Sequence, residues 1–225
     1  AICRQSNYLY MPLKINSKTT ENVKPIFENS DYISFLGYIK YDSFDNKYFP
    51  KTGWYLTSDF QYFPYSTNYS KQFNNFSIVK GDVGFARTFF KKIALNVQTE
   101  AGFAIGEKSV PYFDFVLGGY GYNTINNFRH FYGYDFLSLE GDSYIKSTVT
   151  VDYEFLKKNH INASANFANI EDKLFESTKW ISTPQYSGYA LGYGLETIIG
   201  PIELKYTWSP ETGKGLVWFN IGFWF

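Results

Sequence analysis

Residues 145–155 read Ile-Lys-Ser-Thr-Val-Thr-Val-Asp-Tyr-Glu-Phe, and their alternation constrains the fold more than any other feature of the chain. Ile145, Ser147, Val149, Val151, Tyr153 and Phe155 occupy one parity; Lys146, Thr148, Thr150, Asp152 and Glu154 occupy the other. A period of two puts each set on one face of a β-strand, whereas a helix would scatter the charges around its circumference. The run is about as long as a tilted strand that crosses a bilayer.

The pattern recurs. Ile93, Leu95, Val97, Thr99, Ala101, Phe103 and Ile105 alternate with Asn96, Gln98, Glu100 and small residues. Trp54, Leu56, Ser58, Phe60 and Tyr62 alternate with Thr57, Asp59 and Gln61; Ile202, Leu204, Tyr206 and Trp208 alternate with Glu203, Lys205 and Thr207. Val217, Phe219, Ile221, Phe223 and Phe225 form one row of the final segment. Weaker alternation runs over 6–15, 32–43, 76–90, 160–169 and 188–199, giving about ten strands and no convincing helix. Leu156–His160 and Ile199–Pro201 read as tight turns. The segments 16–31, 64–75, 107–142 and 170–187 read as longer polar loops, and short turns at one rim with long loops at the other are the arrangement of a membrane barrel.

Composition agrees. Aromatic residues make up 22% of the chain, and rings with an apolar body and a polar tip suit the two interfaces of a bilayer. No stretch approaches the roughly 20 apolar residues of a membrane helix. A mean hydropathy of −0.29 does not exclude a barrel, because every second residue faces a polar lumen. A secreted β-sandwich would explain the alternation but not a polar face that keeps its charges on strand after strand. The expected fold is therefore an all-β, antiparallel transmembrane β-barrel, read as one domain over 1–225. The net charge of zero suggests no nucleic-acid partner, and Cys3 is alone. The chain opens without an initiator Met or signal peptide, so it is expected to be an N-terminally truncated piece.

Two segments resemble a known family. Asp42-x-x-Asp45-Asn46, a short spacer, then Phe49-Pro50-x-x-Gly53 leading into a strand resembles the barrel signature of one outer-membrane superfamily. That superfamily holds the barrel-assembly factor, the two-partner-secretion transporters and the patatin-like outer-membrane phospholipases. Gly118-Gly119 followed by Phe128-Arg129-His130-Phe131-Tyr132-Gly133-Tyr134 is similar to its long loop, which folds back into the lumen. The family carries an Arg directly before the glycine of the loop tip, and that Arg reaches acidic residues on the inner wall. Here Tyr132 stands in that place and the nearest Arg is Arg129. The resemblance implies Asp152, Glu154 and Glu196 as its partners, if the lock survives in altered form. Gly192–Thr197, Trp208–Thr212 and Gly222–Phe225 look most like the C-terminal barrel of patatin-like proteins. The family barrel has sixteen strands, so the chain is expected to be the C-terminal part of one.

The resemblance implies an outer-membrane barrel that anchors, and translocates or presents, an upstream patatin-like domain. An assembly factor for other barrels and a passive diffusion channel are the alternatives. Expected partners are outer-membrane lipid and lipopolysaccharide, with Phe223 and Phe225 as the terminal signal read by the barrel-assembly machinery. No Gly-x-Ser-x-Gly nucleophile turn occurs, so this chain is not expected to be an enzyme. No cofactor or metal site is expected. His160, beside Lys157 and Lys158, reads as a solvated turn residue, and His130 as a structural residue of the long loop. Asp42/Asp45/Asp59 and Asp135/Glu140/Asp142 read as solvated carboxylates.

Overall fold

The computed structural model describes residues 2–5, 8–10, 26–28, 31–67, 73–106, 113–120 and 127–222. In chain order the strands are β1 (Ile2–Gln5), β2 (Tyr8–Tyr10), β3 (Ile26–Glu28), β4 (Asp31–Asp42), β5 (Thr52–Thr67), β6 (Phe76–Phe89) and β7 (Ile93–Ile105). Then come β8 (Phe115–Leu117), β9 (Phe128–Arg129), β10 (Leu139–Gly141), β11 (Ser143–Leu156), β12 (Asn159–Glu171), β13 (Tyr186–Thr197), β14 (Gly200–Trp208) and β15 (Gly215–Ile221). Nine long strands and the short edge strand β1 form one antiparallel sheet in the order β1-β4-β5-β6-β7-β11-β12-β13-β14-β15. Every neighbour in it follows in sequence once the small pieces are set aside, so the sheet is a meander, as hairpin connections dictate.

Burial is inverted relative to a water-soluble sheet. On β14, Glu203, Lys205 and Thr207 are buried while Leu204, Tyr206 and Trp208 are exposed. On β12, His160, Asn162, Ser164 and Asn166 are buried and Ile161 is exposed. The exposed row continues through Val149, Val151, Leu191, Tyr193, Val217, Phe219 and Ile221. Such a continuous apolar face is stable only against an apolar medium. Among the described residues no helix is long and apolar enough to cross a membrane.

Three details differ from the sequence reading. Of the expected strand 6–15, residues 8–10 pair with 26–28 in a separate hairpin and the rest lies outside the described residues; the edge strand of the sheet is β1 instead. β5 runs on to Thr67, past Pro64, which the sequence assigned to a loop. Phe63 is buried in the inward aromatic cluster, and the register slips between Ile33 and Phe35 opposite Phe63 and Pro64. That irregularity accommodates a residue with no N–H to donate. The loop 170–187 contains a four-residue helix, Leu174–Ser177, and a 3₁₀ turn, Lys179–Ile181. Phe223 and Phe225 lie outside the described residues.

The inverted faces predict an asymmetric response to charge. Val149→Arg, at the centre of β11 on the outward face, is expected to cost about 2–4 kcal/mol of folding free energy in a bilayer. Thr150→Arg, one residue on and facing inward, is expected to cost much less. Denaturant titration of the protein refolded into vesicles checks this; equal costs would mean that the faces are assigned wrongly.

Candidate functional site

The long connection between β7 and β11 does not hang free. Its described parts, 113–120 and 127–142, fold onto the inward face of the sheet as a three-stranded sheet, β10-β8-β9. Gly118 and Gly119 both have positive φ, at 140° and 68°. A Cβ on Gly118 would overlap the Asp135 carbonyl, so only glycine permits the turn that links β8 to the returning chain. Gly119 N–H donates to the Tyr134 carbonyl and its own carbonyl accepts from Phe131 N–H, both at 3.0 Å. Gly133, at φ 76°, brings the loop tip against the backbone of Trp208 and Ser209, closer than any side chain allows.

Rings hold one end of this packing. Phe113, Phe115, Leu117, Phe131 and Tyr134 of the loop are buried against Tyr32, Phe63, Phe76, Tyr144 and Ile170 of the wall. This cluster supplies the burial that fixes the loop, since each aromatic ring removed from water is worth more than any hydrogen bond nearby.

Below the rings lies a charged constellation. Glu100 on β7 accepts from the buried Lys146 ammonium at 2.6 Å and pairs with Arg129 of the loop at 3.3 Å. Lys146 sits directly opposite Glu100 in the β7–β11 register, and its Nζ also donates to the His130 carbonyl at 3.1 Å. Arg129 Nε donates to Tyr144 Oη at 3.1 Å. The expected partners of Arg129 are thus corrected. Among the described contacts, Asp152 holds His160, Glu154 holds Lys51 and Glu196 holds Asn46; Arg129 goes to Glu100. All three carboxylates face inward, but toward the rim of short turns, beyond the reach of β9.

Tyr132, beside Gly133 at the loop tip, meets a cation of the wall. Lys205 on β14 places Nζ 4.4 Å from the Tyr120 ring centroid and 5.4 Å from that of Tyr132. Tyr120 Oη donates to Glu203 at 3.0 Å. The wall provides the charge and the loop the ring faces, an attraction that desolvation strengthens.

A second tether lies at the rim of short turns. Between β4 and β5, Asp45 accepts from Lys51 and Thr52 N–H at 2.8 and 3.0 Å, and Asn46 Oδ1 accepts from Tyr48 and Phe49 N–H at 2.9 and 3.1 Å. Short Asp and Asn side chains bonding backbone N–H groups a few residues on are what holds such a turn folded. The folded turn then reaches strands that are not its neighbours. Phe49 stacks on His160 of β12 at 4.1 Å between centroids, Asn46 Nδ2 donates to Glu196 of β13 at 3.0 Å, and Lys51 pairs with Glu154 of β11 at 2.6 Å. The Glu154 hydrogen bond raises the Lys51 ammonium above the ordinary lysine range. Gly194 lies under Phe49, where a Cβ would collide with the ring.

His160 is therefore not a solvated turn residue. It is fully buried, with Nδ1 2.7 Å from Asp152 and Nε2 3.4 Å from Glu196. Its neighbours in sequence, Lys157 and Lys158, were misleading; its parity with Asn162, Ser164 and Asn166 was the available signal. Between the turn and the loop remains a cavity of about 520 Å³, lined by Asp42, Asp82, Gln98, His130, Asp152 and Lys205 among others. Among the described residues no group of His, Cys, Asp or Glu has the arrangement of a metal site.

A sheet with a polar inward face, a loop folded onto it and a tethering turn is the geometry against which known proteins can be compared. The sequence pattern of the OMP85 superfamily matches residues 7–225. The chain belongs to the OMP85 superfamily. It is a bacterial outer-membrane β-barrel chain. Among solved structures it resembles BamA from Haemophilus ducreyi lacking POTRA domains 1–3, with a TM-score of 0.63 and 13% identity. The match covers 82% of this chain and 40% of that one. At that identity the likeness is one of fold. No curated protein matches the chain in sequence.

Two substitutions test the tethers. Glu100→Gln strips the buried Lys146 and Arg129 of their shared counter-charge and is expected to cost about 3–5 kcal/mol, with new protease cleavage within 107–142. A loop that stays protected would show that Glu100 does not hold it. Phe49→Ala is expected to cost about 3 kcal/mol and to lower the temperature at which the heat-modifiable gel band is lost, with the loop remaining protected.

Proposed function

We propose that this chain is the membrane-embedded part of an OMP85-type barrel that translocates or inserts polypeptide at the outer membrane, closed at rest by its own loop. The observation that carries the reading is the anchoring of residues 113–120 and 127–134 on the inward face, by rings, by Glu100–Arg129 and by Lys205. A passive diffusion channel has no use for a plug tied down by several buried contacts. A barrel that must open only for a particular polypeptide does, because a closed state a few kcal/mol below the open one keeps the pore shut between events.

The polypeptide favoured here is a patatin-like domain upstream in the same protein, which the barrel anchors and presents. The support is the likeness of 192–197, 208–212 and 222–225 to patatin-like barrels. Insertion of other outer-membrane barrels is the second reading, favoured by the fold likeness to BamA. In either case the barrel-assembly machinery would engage the final strand, with Phe223 and Phe225 as its signal.

Planar-bilayer recording of the full-length protein tests the closed state. The expected record is near-zero resting conductance, with deletion of 113–138 producing steady open-pore steps. Steady conductance in the undeleted protein would sink the plug. Protease shaving of intact cells distinguishes the two cargoes: Glu100→Gln lowers surface exposure of the protein's own upstream domain under the first reading. Under the second it lowers the levels of unrelated barrels.

A further inference from the structure

The rim of short turns carries a repeated sequence that neither tether uses. The β6–β7 turn is Phe89-Phe90-Lys91-Lys92 and the β11–β12 turn is Phe155-Leu156-Lys157-Lys158. Because β7 pairs with β11, these two turns lie side by side. They are stitched together: Glu154 N–H donates to the Lys92 carbonyl at 3.0 Å, and Lys92 Nζ to the Phe155 carbonyl at 3.2 Å. The next hairpin joins through Glu196 N–H and the Lys158 carbonyl, at 2.9 Å, and brings Ile198 and Ile199 beside them.

The outer side of this rim is apolar and cationic at once. Phe90 is 89% exposed and Ile198 93%, with Phe89, Leu156 and Ile199 also exposed. Lys91, Lys92, Lys157 and Lys158 are all exposed. A fifth cation, Arg87, stands on the outward row of β6 in line with Val83 and Phe85, its guanidinium 5.8 Å from the Phe89 ring. None of the five is ion-paired with a carboxylate among the described residues. The carboxylates that close the β11–β12 and β13–β14 hairpins are engaged elsewhere: Glu154 takes Lys51 and Glu196 takes Asn46.

An arginine on a row that faces hydrocarbon is costly unless its head reaches phosphate at the interface, and long cationic side chains do this by snorkelling. Short turns mark the periplasmic side of an outer-membrane barrel. We propose that Arg87, Lys91, Lys92, Lys157 and Lys158, with Phe89, Phe90 and Leu156, form a binding site for anionic glycerophospholipid of the periplasmic leaflet. The rings and Leu156 enter the acyl region, and the five cations gather phosphodiester headgroups around the two stitched turns. Charge complementarity favours this occupant: five cations with no carboxylate partner among the described residues line the rim that meets the lipid phosphates, in the one leaflet that consists of glycerophospholipid. The site does not depend on what the barrel transports.

Native mass spectrometry of the full-length protein in detergent, titrated with phosphatidylglycerol or with phosphatidylcholine, provides the test. Interfacial cations each strengthen anionic-lipid binding by roughly fivefold, so about tenfold or greater preference for phosphatidylglycerol is expected once the contributions saturate. The variant R87Q/K91Q/K92Q/K157Q/K158Q is expected to reduce that preference to about twofold or less. K173Q/K179Q/K214Q, which removes lysines from the opposite rim, is expected to preserve it. Because Lys92 also stitches the turns, K91Q/K157Q at the exposed tips is the milder variant, with an intermediate loss expected while heat-modifiable migration is unchanged. Equal retention of the two lipids, an unaltered preference in K91Q/K157Q, or an equal loss in the opposite-rim variant would each overturn the site.

Discussion

Everything inside this sheet depends on how Glu100 is neutralised. A barrel turned apolar side out leaves its charges no solvent except the lumen, and here a loop packs over part of that inward face. Glu100 stands next to Asp82 across β6 and β7, two acids that would repel if left alone. Lys146, fully buried and directly opposite on β11, offsets one charge, and Arg129 brings a second cation from the loop. Tyr55 and Gln98 donate to Asp82 at 2.6 and 3.2 Å. The wall is thus electrostatically incomplete without the loop: withdrawing Arg129 leaves the two acids with one fewer cation. The loop in turn has its own carbonyl at His130 held by Lys146. Loop and wall satisfy each other, and this gives the loop a defined seat.

The two tethers act on different lengths of the barrel. The loop packs at the long-loop end, where rings from β4, β5, β6 and β11 and the Ala168 and Ile170 side chains of β12 converge on it. The β4–β5 turn acts at the other end, bridging to β11, β12 and β13. In a meander, neighbouring strands are held by backbone ladders, but nothing in the ladder fixes how tightly the sheet curls. Contacts between strands several places apart do fix it. Phe49 on His160 and Asn46 on Glu196 set the curvature at one rim, as the aromatic cluster does at the other.

Period two made the strands and their faces legible in the sequence, because parity alone decides which side chains face in. The inward placement of Asp152, Glu154 and Glu196 follows from it. Parity says nothing about which inward residues meet. Glu100 and Lys146 are separated by a long connection, and only the register of β7 on β11 puts them opposite each other. Arg129 was assigned to acids near the wrong rim for that reason: its height in the lumen is set by the aromatic packing of its own loop. His160 was misread by the opposite fault, weighing sequence neighbours over parity. The glycines were informative in kind but not in partner; Gly118 and Gly133 marked a turning loop, yet nothing in the chain named Asp135 or Ser209 as what they approach.

Tyr132 bears on what holds the loop tip to the wall. An arginine on the loop carries its charge away when the loop leaves, and strands acids on the wall. Here the cation over the Tyr132 ring is Lys205, which belongs to the wall and has Glu203 3.9 Å away on the same strand. When the tip withdraws, Lys205 and Glu203 remain together and water can enter to solvate both, so the electrostatic penalty at this point of the wall is small. The larger penalty falls at Glu100, where Arg129 is removed outright. The loop is therefore held chiefly at Arg129 and in the ring cluster, while the wall at its tip carries its own counter-charge.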